Sequence, residues 1–190
     1  MGFLDTLLGR TKPVPPNLDE LFALPSAAIT LQAATDFVPT GIGSVCFRAV
    51  EGKAFSDIEK DVTDLLSMGE GKTPISVSAD SYGYTWVVCT HSADDVEGLV
   101  TDLHAVNYSL EGGGFGPQLL CTIVGFRDST GTRLGLVYLY KRGTFYPFVP
   151  KPGERRDNPT ELRVRGVLGD DLKIEPELGR WFPVWGAPGL

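Results

Sequence analysis

Two apolar segment pairs, each interrupted by an Asp-Ser-X-Gly tetrapeptide, constrain this chain more than any other feature. Ile75 to Ala79 and Tyr84 to Thr90 flank DSYG, while Gln118 to Phe126 and Arg133 to Tyr140 flank DSTG. The segments are rich in β-branched and aromatic residues, and so short a connection containing Asp and Gly leaves room for a hairpin and little else. Phe145 to Val149, just after Lys-Arg-Gly, adds a further strand to the second pair. Strands joined this way run antiparallel, and an antiparallel sheet can leave one face to be covered by helices. The pattern therefore predicts an α+β domain with a mainly antiparallel sheet and helices packed on one face.

The rest of the chain is read against that sheet. Ser26 to Ala34 and Gly43 to Val50 look β-like, with Val45, Phe47 and Ala49 on one face and PTGIG as the turn between them. Asn17 with Glu20 caps a short helix over Leu18 to Leu24, stopped by Pro25. Ser56 and Glu59 form a second capping pair ahead of Ile58, Val62, Leu65 and Leu66. The clearest helix opens at Ser92 and Asp95, carries Val96, Leu99, Val100, Leu103 and Val106 inward, and is broken by EGGGFGP. Trp86 and Val88 are expected among the strand positions beneath it. PKPGERRDNPT reads as a linker or long surface loop, LRVRGVL as one more strand, and RWFPVWGAPGL has no regular period. Three regions follow: an apolar stub and proline tether over 1–16, an α+β core over 17–149, and a linker with an aromatic segment over 150–190 that packs on the core.

A chain of 190 residues can bury about 70% of its unfolded surface in one domain. Lys and Arg number 17 against 24 for Asp and Glu, a net charge of -7. That balance argues against unaided binding to nucleic acid or an anionic bilayer, both of which need neutralising cations. Cys46, Cys89 and Cys121 each lie in an apolar run, and none forms a CxxC, so buried reduced thiols in a reducing, cytoplasmic compartment are expected. Met1 to Arg10 has no basic start with a continuous apolar stretch, and no run reaches the roughly 18 apolar residues of a span.

The residues that could carry chemistry do not assemble into a site. Gly71-Lys72-Thr73 ends like a phosphate-binding loop, but Leu66 stands where the first glycine should be and Pro74 leads into a strand instead of a helix. Gly112 to Gly116 lies between helix and strand, the reverse of a dinucleotide fingerprint. His91 and His104 are the only histidines, and neither has metal ligands at the usual spacing. Asp94-Asp95 sits where a helix N-terminus favours negative charge, and Asp170-Asp171 lacks any sign of a cleft. Met1-Gly2 with Thr6 matches a myristoylation pattern only formally. No metal, nucleotide or other cofactor and no catalytic residue is expected.

Two apolar groups remain. Phe3, Leu4, Leu7 and Leu8 form one stripe, set apart by Pro13, Pro15 and Pro16; it either recognises a partner or docks on its own domain or a second copy. With only Arg10 and Lys12 nearby, membrane contact would be peripheral at most. Trp181, Phe182 and Trp185 are a second candidate partner surface, or else a segment folded back over the sheet.

The segments MGFLDTLLGRTKPVPPNLDELFALPSAAITL, GIGSVCFRAVEG and YLYKRGTFYPFVP resemble the actinobacterial PspAB family, the phage shock protein A-associated proteins. The resemblance spans most of the chain. It implies a bacterial cytosolic protein of the envelope stress response that associates with phage shock protein A, a membrane-remodelling coiled-coil protein, and it carries over no catalytic residue. The element order is also similar to the YbjN-like and type III secretion chaperone-like folds. The function expected is a non-enzymatic adaptor or regulator that binds a protein partner, with homodimerisation open. The alternative is a chaperone-like or small-ligand-binding domain with a pocket between sheet and helices.

Overall fold

The computed structural model of the chain describes residues 16–48, 56, 60, 64 and 75–190. Asp80 and Asp128 begin turns built on one plan. The Asp80 Oδ1 accepts the N–H groups of Tyr82 (2.8 Å) and Tyr84 (2.9 Å), and the Asp128 Oδ1 those of Thr130 (2.9 Å) and Thr132 (2.8 Å). Gly83 and Gly131 close the turns at φ 83° and 88°, a region open to glycine at no steric cost. The first turn joins β2 (Ile75–Ala79) to β3 (Tyr84–Thr90), and the second joins β4 (Leu119–Arg127) to β5 (Arg133–Leu139). With β1 (Val38–Arg48) and β6 (Thr144–Phe148) these strands form one six-stranded antiparallel sheet in the order β2-β3-β1-β4-β5-β6.

PTGIG is not a turn. It lies inside β1, where the register with β4 shifts between Pro39 and Gly43. Gly41 takes φ 75°, and a Cβ there would fall 2.2 Å from the His91 carbonyl oxygen, so glycine lets the bulged strand lie against the loop after β3. Ser26 to Ala34 is not a strand either. A 3-10 stretch, Leu18–Ala23, runs directly into helix α1 (Leu24–Ala34), and Pro25 occupies the first turn, where a missing N–H costs nothing. Leu24, Ala27, Ala28 and Leu31 recur at helical spacing and are buried.

Helix α2 (Val96–Leu110) is capped by Asp95, whose carboxylate accepts the Gly98 N–H. EGGGF extends it by one wider turn, ended by Gly114 at φ 86°. The segment read as a last strand is helix α3 (Asn158–Leu168): Asp157 caps it by accepting from Thr160, and Glu161, Val164 and Leu168 turn inward. The alternation Leu162, Val164, Gly166 imitated a strand, but Leu162 is exposed. A two-stranded hairpin, β7 (Pro150–Lys151) with β8 (Arg155–Arg156), precedes α3. Of the second capping pair Ser56 is described, as helical and exposed, whereas Glu59 and Ala49 fall outside the described residues.

Helices α1, α2 and α3 cover one face of the sheet. Leu99, Val100, Leu103 and Val106 of α2 pack with Val45, Phe47, Val87, Cys89 and Val124, all fully or nearly fully buried. Trp86 and Val88, expected here, point the opposite way, because side chains alternate along β3 and Val87 and Cys89 take the helix face. Beyond β6, residues 173–175 add a parallel bridge: the Phe145 N–H donates to the Lys173 carbonyl (2.9 Å) and the Glu175 N–H to the Phe145 carbonyl (2.7 Å). Among the described residues no helix is long and apolar enough to cross a membrane.

Candidate functional site

The second face of the sheet is apolar as well, and registers across five strands place its side chains in rows. Trp86, Cys46, Cys121, Leu139 and Thr144 stand side by side, and Val88, Ser44, Ile123, Val137 and Tyr146 form the neighbouring row. Further along, Gly125 and Gly135 pair across β4 and β5. The chain after residue 180 folds back as a strap over part of this face. Trp181 stacks on Tyr146 with ring centres 5.9 Å apart, and Trp185 meets the Phe148 ring edge-on at 5.0 Å. Leu190 fills the notch at Gly135, where a Cβ would lie 3.0 Å from its Cδ1.

Polar contacts hold the strap. The Trp181 indole donates to the Glu175 carbonyl (3.0 Å), the Tyr146 hydroxyl donates to the Phe182 carbonyl (2.7 Å), and the Arg156 guanidinium donates to the Trp181 carbonyl. Arg156 also lies over the Phe148 ring and donates to the buried Glu161, which accepts the Val149 N–H as well. Glu175 is fully buried. Burial alone would raise its carboxyl, but hydrogen bonds from Arg142, Thr144 and the Glu177 N–H prevail and hold it below the usual range.

A cavity of about 700 Å³ opens between the strap and the first row from Trp86 to Leu139, while Thr144, the fifth member, lies outside it and donates to Glu175. Cys46, Trp86, Cys121 and Leu139 form the floor, and Tyr84, Tyr146, Val184 and Trp185 stand in the walls. Its volume lies within the ~300–1,000 Å³ typical of small-molecule sites, which are also mainly apolar. The hydrogen bond with Cys121, and burial after it, push the Cys46 thiol far up, so it stays protonated. Cys46 is thus an apolar floor group and not a nucleophile.

The two ends of the cavity differ in charge. Asp80 and Tyr82 lie beside Trp86. Burial would raise the Asp80 carboxyl, but the Trp86 indole N–H (2.9 Å) and the turn N–H groups hold it low. The Tyr82 hydroxyl donates to Glu154 (2.9 Å), joining the β2–β3 turn to the β7–β8 hairpin. At the other end are Lys141, Arg142 and Arg180, all exposed cations in an acidic chain. Arg142 grips Glu175 through Nε at 3.1 Å, and Glu177 lies between Arg142 (3.5 Å) and Arg180 (2.8 Å).

The structure separates the residues that sequence grouped as partner-binding. Trp181 is 5% exposed and belongs to the packed strap, Phe182 is 57% exposed at the cavity mouth, and Trp185 is half-buried in its wall. Phe3, Leu4, Leu7 and Leu8 lie outside the described residues, as does the GEGKTP loop. The pocket lies between sheet and strap, on the face opposite the helices, because the helix face is filled by its own side chains. Cys46, Trp86, Cys121 and Leu139 were missed as a group. They come from four strands, and only the register unites them.

His91 has carboxylate partners that spacing did not reveal. Its Nδ1 lies 2.7 Å from Asp95 and its Nε2 2.8 Å from Asp102. Burial would lower this imidazole, but the hydrogen bonds to Asp102 and Asp95 outweigh it and raise the pKa above 6.5. Among the described residues no group of three or more His, Cys, Asp and Glu could hold a metal ion. Asp171 accepts the Ser26 hydroxyl at 3.5 Å. A third feature is an aromatic patch on the helical layer, where His104 lies 4.8 Å from the Phe22 ring and 6.5 Å from that of Tyr108.

A family model described as PspAB, PspA associated protein B, matches residues 1–189. No curated protein and no solved structure matches the chain. The comparison with YbjN-like and secretion chaperone-like folds therefore rests on element order alone.

Proposed function

This chain belongs to the PspA associated protein B family, and on that premise we propose that it is a non-enzymatic adaptor or regulator in the bacterial envelope stress response, acting in the cytoplasm by binding phage shock protein A. The observation that carries this reading is the family match over residues 1–189, since the family takes its name from that association. The helical layer adds a surface suited to it. Phe22 is 49% and Tyr108 68% exposed, with His104 between them, and exposed aromatics of this kind are enriched in binding hot spots. In the sequence Phe22 follows the proline tether and the apolar stripe of Phe3, Leu4, Leu7 and Leu8, and we take the two groups as the candidate recognition residues. A coiled-coil partner would meet both by helix packing.

The test is a pull-down with phage shock protein A, using the full chain, a chain lacking residues 1–12, and the double variant Phe22→Ser/Tyr108→Ser. Binding lost in the shortened chain and weakened in the double variant, with melting temperatures unchanged, is the expected result. Equal capture by all three chains refutes the reading. A second reading, a domain that binds a small ligand, is favoured by the cavity between sheet and strap.

A further inference from the structure

We infer that this cavity is a binding site for a single-chain amphiphile with an anionic head, its chain lying along the Trp86–Cys46–Cys121–Leu139 row and its head at Lys141 and Arg180. The inference rests on the ligand-binding reading and deepens it.

Three observations lead there. The first is shape. The floor is one row crossing four neighbouring strands, and three strand spacings make it about 14 Å long. A site floored by a single row and this long fits an extended chain better than a broad ring system. The second is chemistry. Two thiols, a leucine and an indole offer the floor no strong acceptor for a polar ligand, and aromatic walls add apolar contact on both sides.

The third is polarity. Asp80 marks the Trp86 end, but its carboxylate is already occupied by the Trp86 indole and the Tyr82 and Tyr84 N–H groups. At the Leu139 end, Lys141 gives one hydrogen bond to the Pro117 carbonyl (2.8 Å). An ammonium has three donors, so Lys141 retains capacity for an anion. Among the described residues Arg180 is held only by Glu177, itself 57% exposed, and an exposed pair of this kind is readily exchanged for another anion. Arg142 is committed to the buried Glu175 and supplies field more than contact. The uncommitted charge thus stands at one end of an apolar trough whose other end carries the already bonded Asp80 carboxylate, the arrangement of an amphiphile and not of a uniformly polar solute.

Trp86 and Trp185 line the cavity, so ligand entry can be followed by intrinsic fluorescence of the full chain. Sodium dodecanoate, below its micellar range, is the anionic probe, and dodecanol carries the same chain without the charge. Dodecanoate should give a saturable change, with dodecanol about tenfold weaker or more, the scale of one lost charge-assisted contact. Lys141→Ala/Arg180→Ala should bring dodecanoate down to the level of dodecanol and leave dodecanol unaffected. Cys121→Phe fills the floor and should abolish both signals. Should that variant fail to fold, the charge variant still decides the matter, because its substitutions are on exposed side chains. Equal binding of the two probes, insensitive to Lys141 and Arg180, would overturn the anionic head and leave the ligand-binding reading standing. No saturable signal from either probe, or binding indifferent to a folded Cys121→Phe, would overturn both.

Discussion

Gly43 and Leu103 offer a quantitative test of how β1 and α2 are fitted together. Leu103 is fully buried, and a Cβ built on Gly43 would lie 2.6 Å from its Cδ1 and 3.3 Å from its Cδ2. The leucine methyls thus occupy the space a side chain at Gly43 would need. Leu103→Ala removes them and should cost about 2–5 kcal/mol, the range for opening a cavity in a packed core. Gly43→Ala forces a methyl into occupied space and should cost about 1–3 kcal/mol. Combined, the new methyl enters the space the leucine vacates, so the two costs should not add. Relief is incomplete, because the same Cβ would remain 3.2 Å from the Ile123 carbonyl oxygen, which belongs to the backbone. We therefore expect the double variant to fall short of the sum by about 1–2 kcal/mol, inside the range for contacting residues. Urea titration of the four chains measures this directly. Additivity to within about 0.3 kcal/mol would refute the fit described here.

Four further outcomes follow from the structure. Leu99→Ala should cost about 2–5 kcal/mol by denaturant titration, and a loss below about 1 kcal/mol would make α2 peripheral. His91 has a folded pKa above its ordinary value of 6.5, so its contribution is fully present below pH 6.5 and is lost as pH rises through the folded value. His91→Ala should flatten the fall in stability across neutral pH, and an unchanged profile would remove the imidazole from the account. Asp157→Ala deletes the α3 cap and an ion pair with Lys151 at 2.9 Å, and should cost about 0.5–2 kcal/mol by thermal melting. Gly135→Ala should displace Leu190 and expose residues 181–190 to limited proteolysis while the sheet melts nearly as before; an uncut strap would contradict the notch.

The two hairpins were legible because their turn signals are local: an Asp that accepts N–H groups two and four residues on, and a Gly free to take positive φ. The long helix was legible for a similar reason, since Asp95 caps it and the inward residues keep one period. Failure came where one signal serves two structures. Pro25 both ends and begins helices, and only the buried recurrence of Leu24, Ala27, Ala28 and Leu31 decides between them. In α3 the inward set includes a charged residue, Glu161, bound to Arg156 and the Val149 N–H, so apolar patterning missed it. The cavity was beyond reach for a different reason. Both faces of β1, β4 and β5 are apolar, so alternation could not say which residues face the helices and which face the strap. Phe182 and Trp185 were named as candidates, but their relation to Cys46 and Cys121 depends on a fold-back of the chain.

The position of β1 has a kinetic consequence. Among the described residues it is the first strand, yet it lies at the centre, between β3 and β4. The hairpins β2–β3 and β4–β5 close short loops and can form on their own contacts, with β6 added by one more turn. β1 gains its ladder only when both are present, and its pairings with β3 and β4 close much longer loops. The strand made first is therefore the one that must wait, its apolar residues uncovered until two separate pieces enclose it. Such exposed, unpaired strands are where chains of this size become prone to association. Folding rates should accordingly respond more to substitutions in the Asp128–Gly131 turn than to equally costly ones in β1, which should mainly speed unfolding.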